Sequence, residues 1–445
     1  MRTIDHTHDP AARSWVASAN AAGTDFPVQN LPFGIFRRRG SGEAFRAGVA
    51  IGSEVLDLGA LAATGAVTGE AAQALQACTQ ARLNAFLAMG PAAWRALRHA
   101  LFALLHEHEG AAAAPRLRGC LLPQHAAEHA LPVQIGDYTD FYTSIHHART
   151  ISRLLDPAGE LPPNFQWVPT AYHGRVSSIG VSGQTFRRPW GQSLPAGAAT
   201  PRFAPCARLD YELELAIYIG VGNAQGEPIA LQRAEDHVFG IGLLNDWSAR
   251  DLQFWEMKPL GPFHAKNFAT TLSPWIVTLD ALAPFRTPWT RPADDPQPLA
   301  YLDGPANRQA GGLGIQLEVA LETARMRAAG RAPHRLSTTS FSHHYWSVAQ
   351  MVTHHAAGGC NLQPGDLLGS GTVSGPVQAE AGALIELAMA GSEPVQLPDG
   401  EQRSFLHDGD AIVLRGWCTH ERYVRIGLGS CRGLVEPAHS AAWPA

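Results

Sequence analysis

Apolar and polar residues alternate with two different rhythms along this chain. Between Gly69 and Glu109 the text is alanine-rich, and Trp94, Leu97, Leu101 and Leu105 recur at helical spacing. Pro91 after Gly90 suits a helix start, where its missing N–H forfeits no hydrogen bond. Ahead of this stretch, residues 27–58 hold short apolar runs, NLPFGIF and AGVAIGSEVLDLG, punctuated by glycine, which predicts strands and turns. GAAAAPRLRG (110–119) reads as a linker, and a domain boundary is expected near 120–132. Beyond it the period shortens to two. In RLDYELELAIYIG, Leu209, Tyr211, Leu213, Leu215, Ile217 and Ile219 alternate with Asp210, Glu212, Glu214, Ala216 and Tyr218, which predicts a strand. Further strands are expected at 239–244, 313–321, 382–389, 411–416 and 423–428. The pattern is that of a mainly β chain with one helical stretch.

Composition narrows the classes. A chain of 445 residues exceeds what one core usually supports, so two domains are expected. A formal charge of -5, with no long Lys/Arg run, speaks against a nucleic-acid partner. The opening Met1–His6 lacks the apolar stretch of a signal peptide, and no window approaches the ~20 apolar residues of a membrane span. The six cysteines are scattered, with no C-x-x-C pair, which fits reduced thiols. The expectation is a soluble, cytoplasmic protein with no membrane partner.

The chemistry concentrates in acidic segments. Glu212 and Glu214 fall on one face of their strand, with Cα atoms about 7 Å apart. Among apolar neighbours two like charges repel and lose hydration unless something cationic joins them. The competing reading is the solvent-facing side of a half-buried sheet. Asp246 ends the apolar run FGIGLLN and precedes WSARDLQFWE, so it could simply cap a helix. Yet Asp246, Arg250, Gln253 and Met257 fall on one helical stripe, and a plain salt bridge would not need the glutamine. A third segment, GDYTDFYTSIHHA (136–148), crowds together Asp137, Asp140, Tyr142, His146 and His147. Oxygen donors on three segments suit a hard cation, Ca²⁺ or Mg²⁺, whereas zinc prefers His or Cys. The His-His pairs at 146–147, 343–344 and 354–355 lack the helical spacing of a zinc site, and the H-E-H-E run 106–109 reads as an exposed helix end.

IGDYTDFYTSIHHA (135–148), YHGRVSSIGVSG (172–183), LDYELELAIYIG (209–220), GLLNDWSARDLQFWE (242–256), KPLGPFHAKNFATTLSPWIV (258–277), GCNLQPGDLLGSGTVSGP (359–376) and LHDGDAIVLRGWC (406–418) follow one another across the chain. In content and order they resemble the fumarylacetoacetate hydrolase family, in its long two-domain form. NLPFGIF (30–36) resembles the opening of that family's N-terminal domain. The resemblance implies an SH3-like β-barrel domain over 1–131 and a catalytic β-sandwich roll over 132–445, working as a homodimer. It implies a divalent cation, Ca²⁺ or Mg²⁺, held by Asp140, Glu212, Glu214 and Asp246, with Lys266 and Thr270 near a second cation. His147 matches the base that activates water, and Glu386 the group that orients it. Tyr142, Tyr172, Gln253 and Thr372 match substrate-contacting positions, and Met257 stands where the family commonly has a contacting tyrosine. Arg250 and Lys266 match groups that stabilise developing negative charge. The implied reaction cuts the C–C bond of 4-fumarylacetoacetate to give fumarate and acetoacetate, the last step of tyrosine and phenylalanine (homogentisate) catabolism. The alternative is a related hydrolase, decarboxylase or hydratase acting on another β-diketone or 2,4-dioxo acid.

These residue types suit that chemistry. A histidine accepts a proton near neutral pH, its ordinary pKa being about 6.5, and a carboxylate can fix its tautomer. Cations beside the departing enolate stabilise charge where it develops. One segment departs from the family pattern. Where relatives often carry an arginine shortly after the base, this chain reads Leu155-Asp156, with Arg153 the nearest substitute.

Overall fold

The computed structural model describes residues 3–156 and 158–440. The helical text of 69–109 resolves into Gly69–Ala77, Asn84–Leu87 and Pro91–Leu105. Pro91 opens the last of these, after Gly90 at a φ of 86°, a left-handed conformation that favours glycine. Trp94, Leu97, Leu101 and Leu105 are buried along it. They share a core with a five-stranded antiparallel sheet in the order Leu121–Pro123, Glu54–Asp57, Arg46–Ile51, Phe33–Arg38, Ala127–Ala130. The two edge strands are joined by the short turn Gln124–Ala126, so the sheet curls back on itself. No ladder joins those edges among the described residues. The expected linker at 110–119 instead carries the helical turns Ala114–Leu117 and Arg118–Cys120. Ala114 and Leu117 give it an apolar face to bury, which a linker lacks.

The rest of the chain builds two large sheets. One follows the order Thr170–His173, Tyr138–Tyr142, Leu367–Gly369, Leu213–Ile219, Val238–Asp246, Thr270–Leu272, Ile179–Val181, with Val277–Thr278 also paired to Val238–Asp246. The other follows His334–Ser340, Ile315–Glu322, Ala411–His420, Tyr423–Glu436, Gln184–Arg187. The strands expected at 239–244, 313–321, 411–416 and 423–428 lie among these.

The alternation in 209–219 separates two cores, not core from water. Leu213, Leu215, Ile217 and Ile219 face residues of the second sheet, such as Leu317 and Leu414. Ala216 and Tyr218 face the N-terminal helices and sheet. Phe239, on the adjacent strand, meets Phe33, Phe86 and Trp94 edge-on, with ring centroids 5.6, 5.5 and 5.3 Å away. By strand parity, Glu212 and Glu214 continue the face of Ala216 and Tyr218 to its end.

Two expectations in this region change. The strand breaks into Leu209–Asp210 and Leu213–Ile219, with Glu212 bridging to Ala383. Residues 382–389, expected as a strand, form the helical turn Leu384–Leu387. The cause is a long-range cap. The Asp210 carboxylate accepts the backbone N–H of Leu384 at 2.8 Å and of Ile385 at 3.1 Å, amides that a helix start leaves unpaired.

Candidate active site

The carboxylates converge where the first sheet's strands end. Asp140 lies within Tyr138–Tyr142, Glu214 within Leu213–Ile219, and Asp246 closes Val238–Asp246. Glu212 sits in the break of its strand. All four are buried, and burial of like charges dominates their electrostatics. Burial first, then the neighbouring Asp140, Asp246 and Glu212, push Glu214 well above the carboxylate range. Asp246 is pushed up by burial, against Lys266, with Asp140 and Glu212 adding to the rise. Burial also raises Asp140. Glu212 behaves oppositely: burial would raise it, but Lys266 and Arg250 overcome that and hold it low.

Both cations pair with these carboxylates, although Arg250 Nη2 is buried with no hydrogen-bond partner. Lys266 Nζ donates to Glu212 Oε2 and to Asp246 Oδ2, each at 2.5 Å. Arg250 donates from Nε to Asp210 Oδ2 at 2.9 Å, and from Nη1 to Glu212 Oε1 at 2.7 Å and Gln253 Oε1 at 3.1 Å. Tyr172 Oη bridges Asp140 Oδ2 and Asp246 Oδ2 at 2.8 and 3.0 Å. Glu214 Oε2 accepts the Gly371 N–H at 3.0 Å. Asp140 Oδ1 and Glu214 Oε1 are buried with no hydrogen-bond partner. Ligand atoms of Asp140, Glu214 and Asp246 lie within 4.8 Å of one another. Asp140, Asp210, Glu212, Glu214 and Asp246 thus outnumber Arg250 and Lys266. Surplus buried negative charge, orphaned oxygens and an oxygen-only donor set fit a hard divalent cation.

Beside this cluster stands a histidine–carboxylate pair. Ser144 caps the helix Ile145–Leu155, its Oγ accepting the His147 N–H at 3.3 Å. His147 is buried, and its Nδ1 bonds Glu386 Oε1 at 2.7 Å. A carboxylate there selects the tautomer with the proton on Nδ1, which leaves a lone pair on Nε2. Nε2 faces Glu212 Oε1 at 3.9 Å, too far for a hydrogen bond. Glu386 is itself held by Ser374 Oγ at 2.8 Å.

Known proteins resemble this chain over most of its length. Residues 138–436 match the family model described as fumarylacetoacetate (FAA) hydrolase C-terminal, and residues 29–132 match the one described as fumarylacetoacetase N-terminal. This chain belongs to the fumarylacetoacetate hydrolase family. Curated members similar to it include the fumarylacetoacetase of Oryza sativa subsp. japonica, 43% identical over 94% of this chain and 96% of that one. The fumarylacetoacetase of Homo sapiens is 43% identical over 94% and 98%. That of Caenorhabditis elegans is 44% identical over 93% and 97%.

Within this family member the structure gathers Asp140, Glu212, Glu214, Asp246, Arg250, Gln253, Lys266, Tyr172, His147 and Glu386 at one site, the His147–Glu386 pair beside the carboxylate cluster and not hydrogen-bonded to it. Tyr142 joins through its ring, edge-on to His147 at 5.5 Å. Thr270 pairs in register with Asp246 on the neighbouring strand, and Thr372 is buried after Leu367–Gly369. Met257 is half-buried at the end of the helix Arg250–Glu256. That helix is capped at Ala249 without a side-chain bond, so Asp246 is not its cap. His146 is turned away, its ring 5.9 Å from that of His343. His344 and His355 bond Thr143 and Thr139 and serve the framework. The Leu155 side chain lies outside the described residues.

Two participants escaped the sequence reading. Asp210 shares the parity of Glu212 and Glu214, so the alternation itself carried its signal. Ser374 had no local signal, because its role depends on a helical turn whose cap lies far away in sequence.

Proposed function

We propose that this chain hydrolyses 4-fumarylacetoacetate to fumarate and acetoacetate, closing tyrosine and phenylalanine catabolism. The carrying observation is His147, held at Nδ1 by Glu386 and turning an unbonded Nε2 toward the carboxylate cluster. A decarboxylase would not need such a pair. The activity named for the full-length relatives supports the same reading.

In this reading His147 Nε2 takes a proton from water as the water oxygen bonds to the substrate carbonyl carbon. Glu386 keeps the ring oriented and stabilises the imidazolium. The C–C bond then breaks, its electron pair passes into the departing enolate, and the proton returns from Nε2 to that carbon. Arg250 and Lys266 stabilise the charge as it develops. Tyr142, Tyr172, Gln253, Met257 and Thr372 contact the substrate. A divalent cation, Ca²⁺ or Mg²⁺, held by Asp140, Glu212, Glu214 and Asp246, would supply Lewis-acid chelation of the diketone oxygens. Lys266 and Thr270 would lie near a second one. The purified protein should consume the diketone absorbance and release equal amounts of fumarate and acetoacetate. Absence of fumarate would point to another β-diketone acid.

The site's tight construction yields a further expected result. A Cβ on Gly369 would lie 2.6 Å from Asp140 Oδ1 and 2.9 Å from Glu214 Oε2. Gly369→Ala should therefore push these carboxylates apart and lower turnover about 100-fold, the scale of an ångström-level misplacement. Far-ultraviolet circular dichroism should stay unchanged, and wild-type turnover would show that the cluster is not the site.

Domains of 1–131 and 132–445 are in keeping with the N-terminal sheet, which is complete by Ala130. We take the chain to be a cytoplasmic homodimer. The six cysteines are free thiols, and no helix among the described residues is long and apolar enough to cross a membrane. Leu260, 96% exposed, offers an apolar contact for a second copy, which sedimentation analysis would reveal.

A further inference from the structure

A cavity of about 230 Å³ opens on Tyr172, Asp246 and Lys266. A ligand reaching the carboxylate cluster through it passes Arg175 on the rim. The cations deeper in the site are already neutralised: Lys266 by Glu212 and Asp246, Arg250 by Asp210 and Glu212. Arg175 is not. Its Nε donates to Ser177 Oγ at 2.8 Å, and among the described residues no carboxylate pairs with its guanidinium.

The segment that carries Arg175 is firmly placed. It follows the strand Thr170–His173, which also positions Tyr172. Gly174 N–H donates to the Tyr138 carbonyl at 2.8 Å. A Cβ on Gly174 would meet the Tyr138 ring at 2.2 Å, so only glycine lets the chain pass this closely before it turns Arg175 onto the rim. The Ser177 bond then fixes the guanidinium's near end and leaves its outer amines free.

We infer that Arg175 grips one terminal carboxylate of a diacid substrate, which rests on the reaction proposed above. That substrate carries a carboxylate at each end and reacts in the middle. A carboxylate left unpaired beside Asp140, Glu214 and Asp246 would be repelled, whereas a guanidinium offers it a two-pronged, charge-assisted bond. Arg153, the substitute expected from sequence, occupies a different place. It lines a cavity of about 490 Å³ with His146, Arg149 and Glu386, which shares no lining residue with the first. Glu386 holds Nδ1 of His147 and Nε2 faces Glu212, so that second cavity lies behind the pair.

The test compares R175A, R175K and R153A on the diacid and on its two monoesters, one at each end. For R175A on the diacid, KM should rise about tenfold or more with kcat within about twofold of wild type, the pattern of lost uniform binding. R175K should recover part of the loss. One monoester should be about tenfold poorer than the diacid for the wild type and nearly equal to it for R175A, which a merely structural role would not produce. R153A should behave as wild type. Calorimetry of diacid binding to H147A and to H147A/R175A supplies a readout without turnover, with affinity about tenfold weaker in the double variant. An unchanged KM in R175A, an unchanged acid-to-ester ratio, or equal affinities would overturn the assignment. A wild type that binds the diacid but does not cleave it would overturn the reaction while the calorimetry still judges Arg175.

Discussion

His147→Ala should lower turnover by about two to four orders of magnitude, the usual contribution of a positioned general base. The expectation follows from direction. Nδ1 is occupied by Glu386 at 2.7 Å, so the only lone pair the ring can offer is on Nε2, on the side of Glu212. His146 cannot take over, because it lines the other cavity, beside Arg149 and Arg153. Glu386→Gln makes a sharper test. Glutamine keeps the shape but loses the charge that stabilises the imidazolium, and where its N–H₂ takes the place of Oε1 it gives up the bond accepted from Ser374, donates to Nδ1 and favours the tautomer protonated on Nε2. That tautomer has no lone pair where water must be deprotonated. A large fall in kcat with little change in KM is expected, because the pair acts on the reacting proton and not on substrate binding. Metal content should stay the same in both variants, since neither residue contributes to the carboxylate cluster. Near-normal turnover by His147→Ala would remove the base from the mechanism.

How much of this was legible in the sequence depended on the range of the interactions. Period two in 209–219 puts Glu212 and Glu214 on one face, and in the structure both lie beside Asp246, Glu214 directly and Glu212 through Lys266. The same pattern could not tell that both sides of that strand are buried, because alternation reads the same whether the second side meets water or a second core. Phe239 against Phe33, Phe86 and Trp94 is what closes that second side, and those partners lie far apart along the chain. The turn Leu384–Leu387 departs from the strand its sequence predicts for a related reason. GALIELAMA is a short apolar run that suits either state, and a carboxylate from residue 210 decides between them. Glu386 and His147 were assigned through the family resemblance. Ser374, which completes their hydrogen bonding, followed from neither pattern nor motif. Arg175 lies in the motif YHGRVSSIGVSG, but the lack of a carboxylate partner for its guanidinium among the described residues depends on contacts that no motif encodes.

Removing divalent cations with a chelator should abolish activity and lower thermal stability. The cause is charge. Asp140, Glu214 and Asp246 lie together in the protein interior, with Lys266 shared between Asp246 and Glu212 and no cation on Glu214 Oε1 or Asp140 Oδ1. A bound ion relieves the repulsion and satisfies both oxygens, and any ligand of the folded state alone stabilises it by mass action. At free metal 100-fold above Kd the gain is about 2.7 kcal/mol. Glu214→Gln separates this account from a purely structural one, because its sign should depend on the metal. With divalent cation present the variant should bind less metal, melt below wild type and turn over poorly. In chelator it should melt at or above wild type, since a buried carboxylate repelled by its neighbours has been replaced by a neutral amide of the same shape. Thermal melts of both proteins under both conditions, with metal analysis, decide the matter. Full activity in exhaustively chelated, metal-analysed wild type would refute the cation's role. A Glu214→Gln variant less stable than wild type by the same margin with and without metal would mean the carboxylate supports the fold through its bond to Gly371 alone.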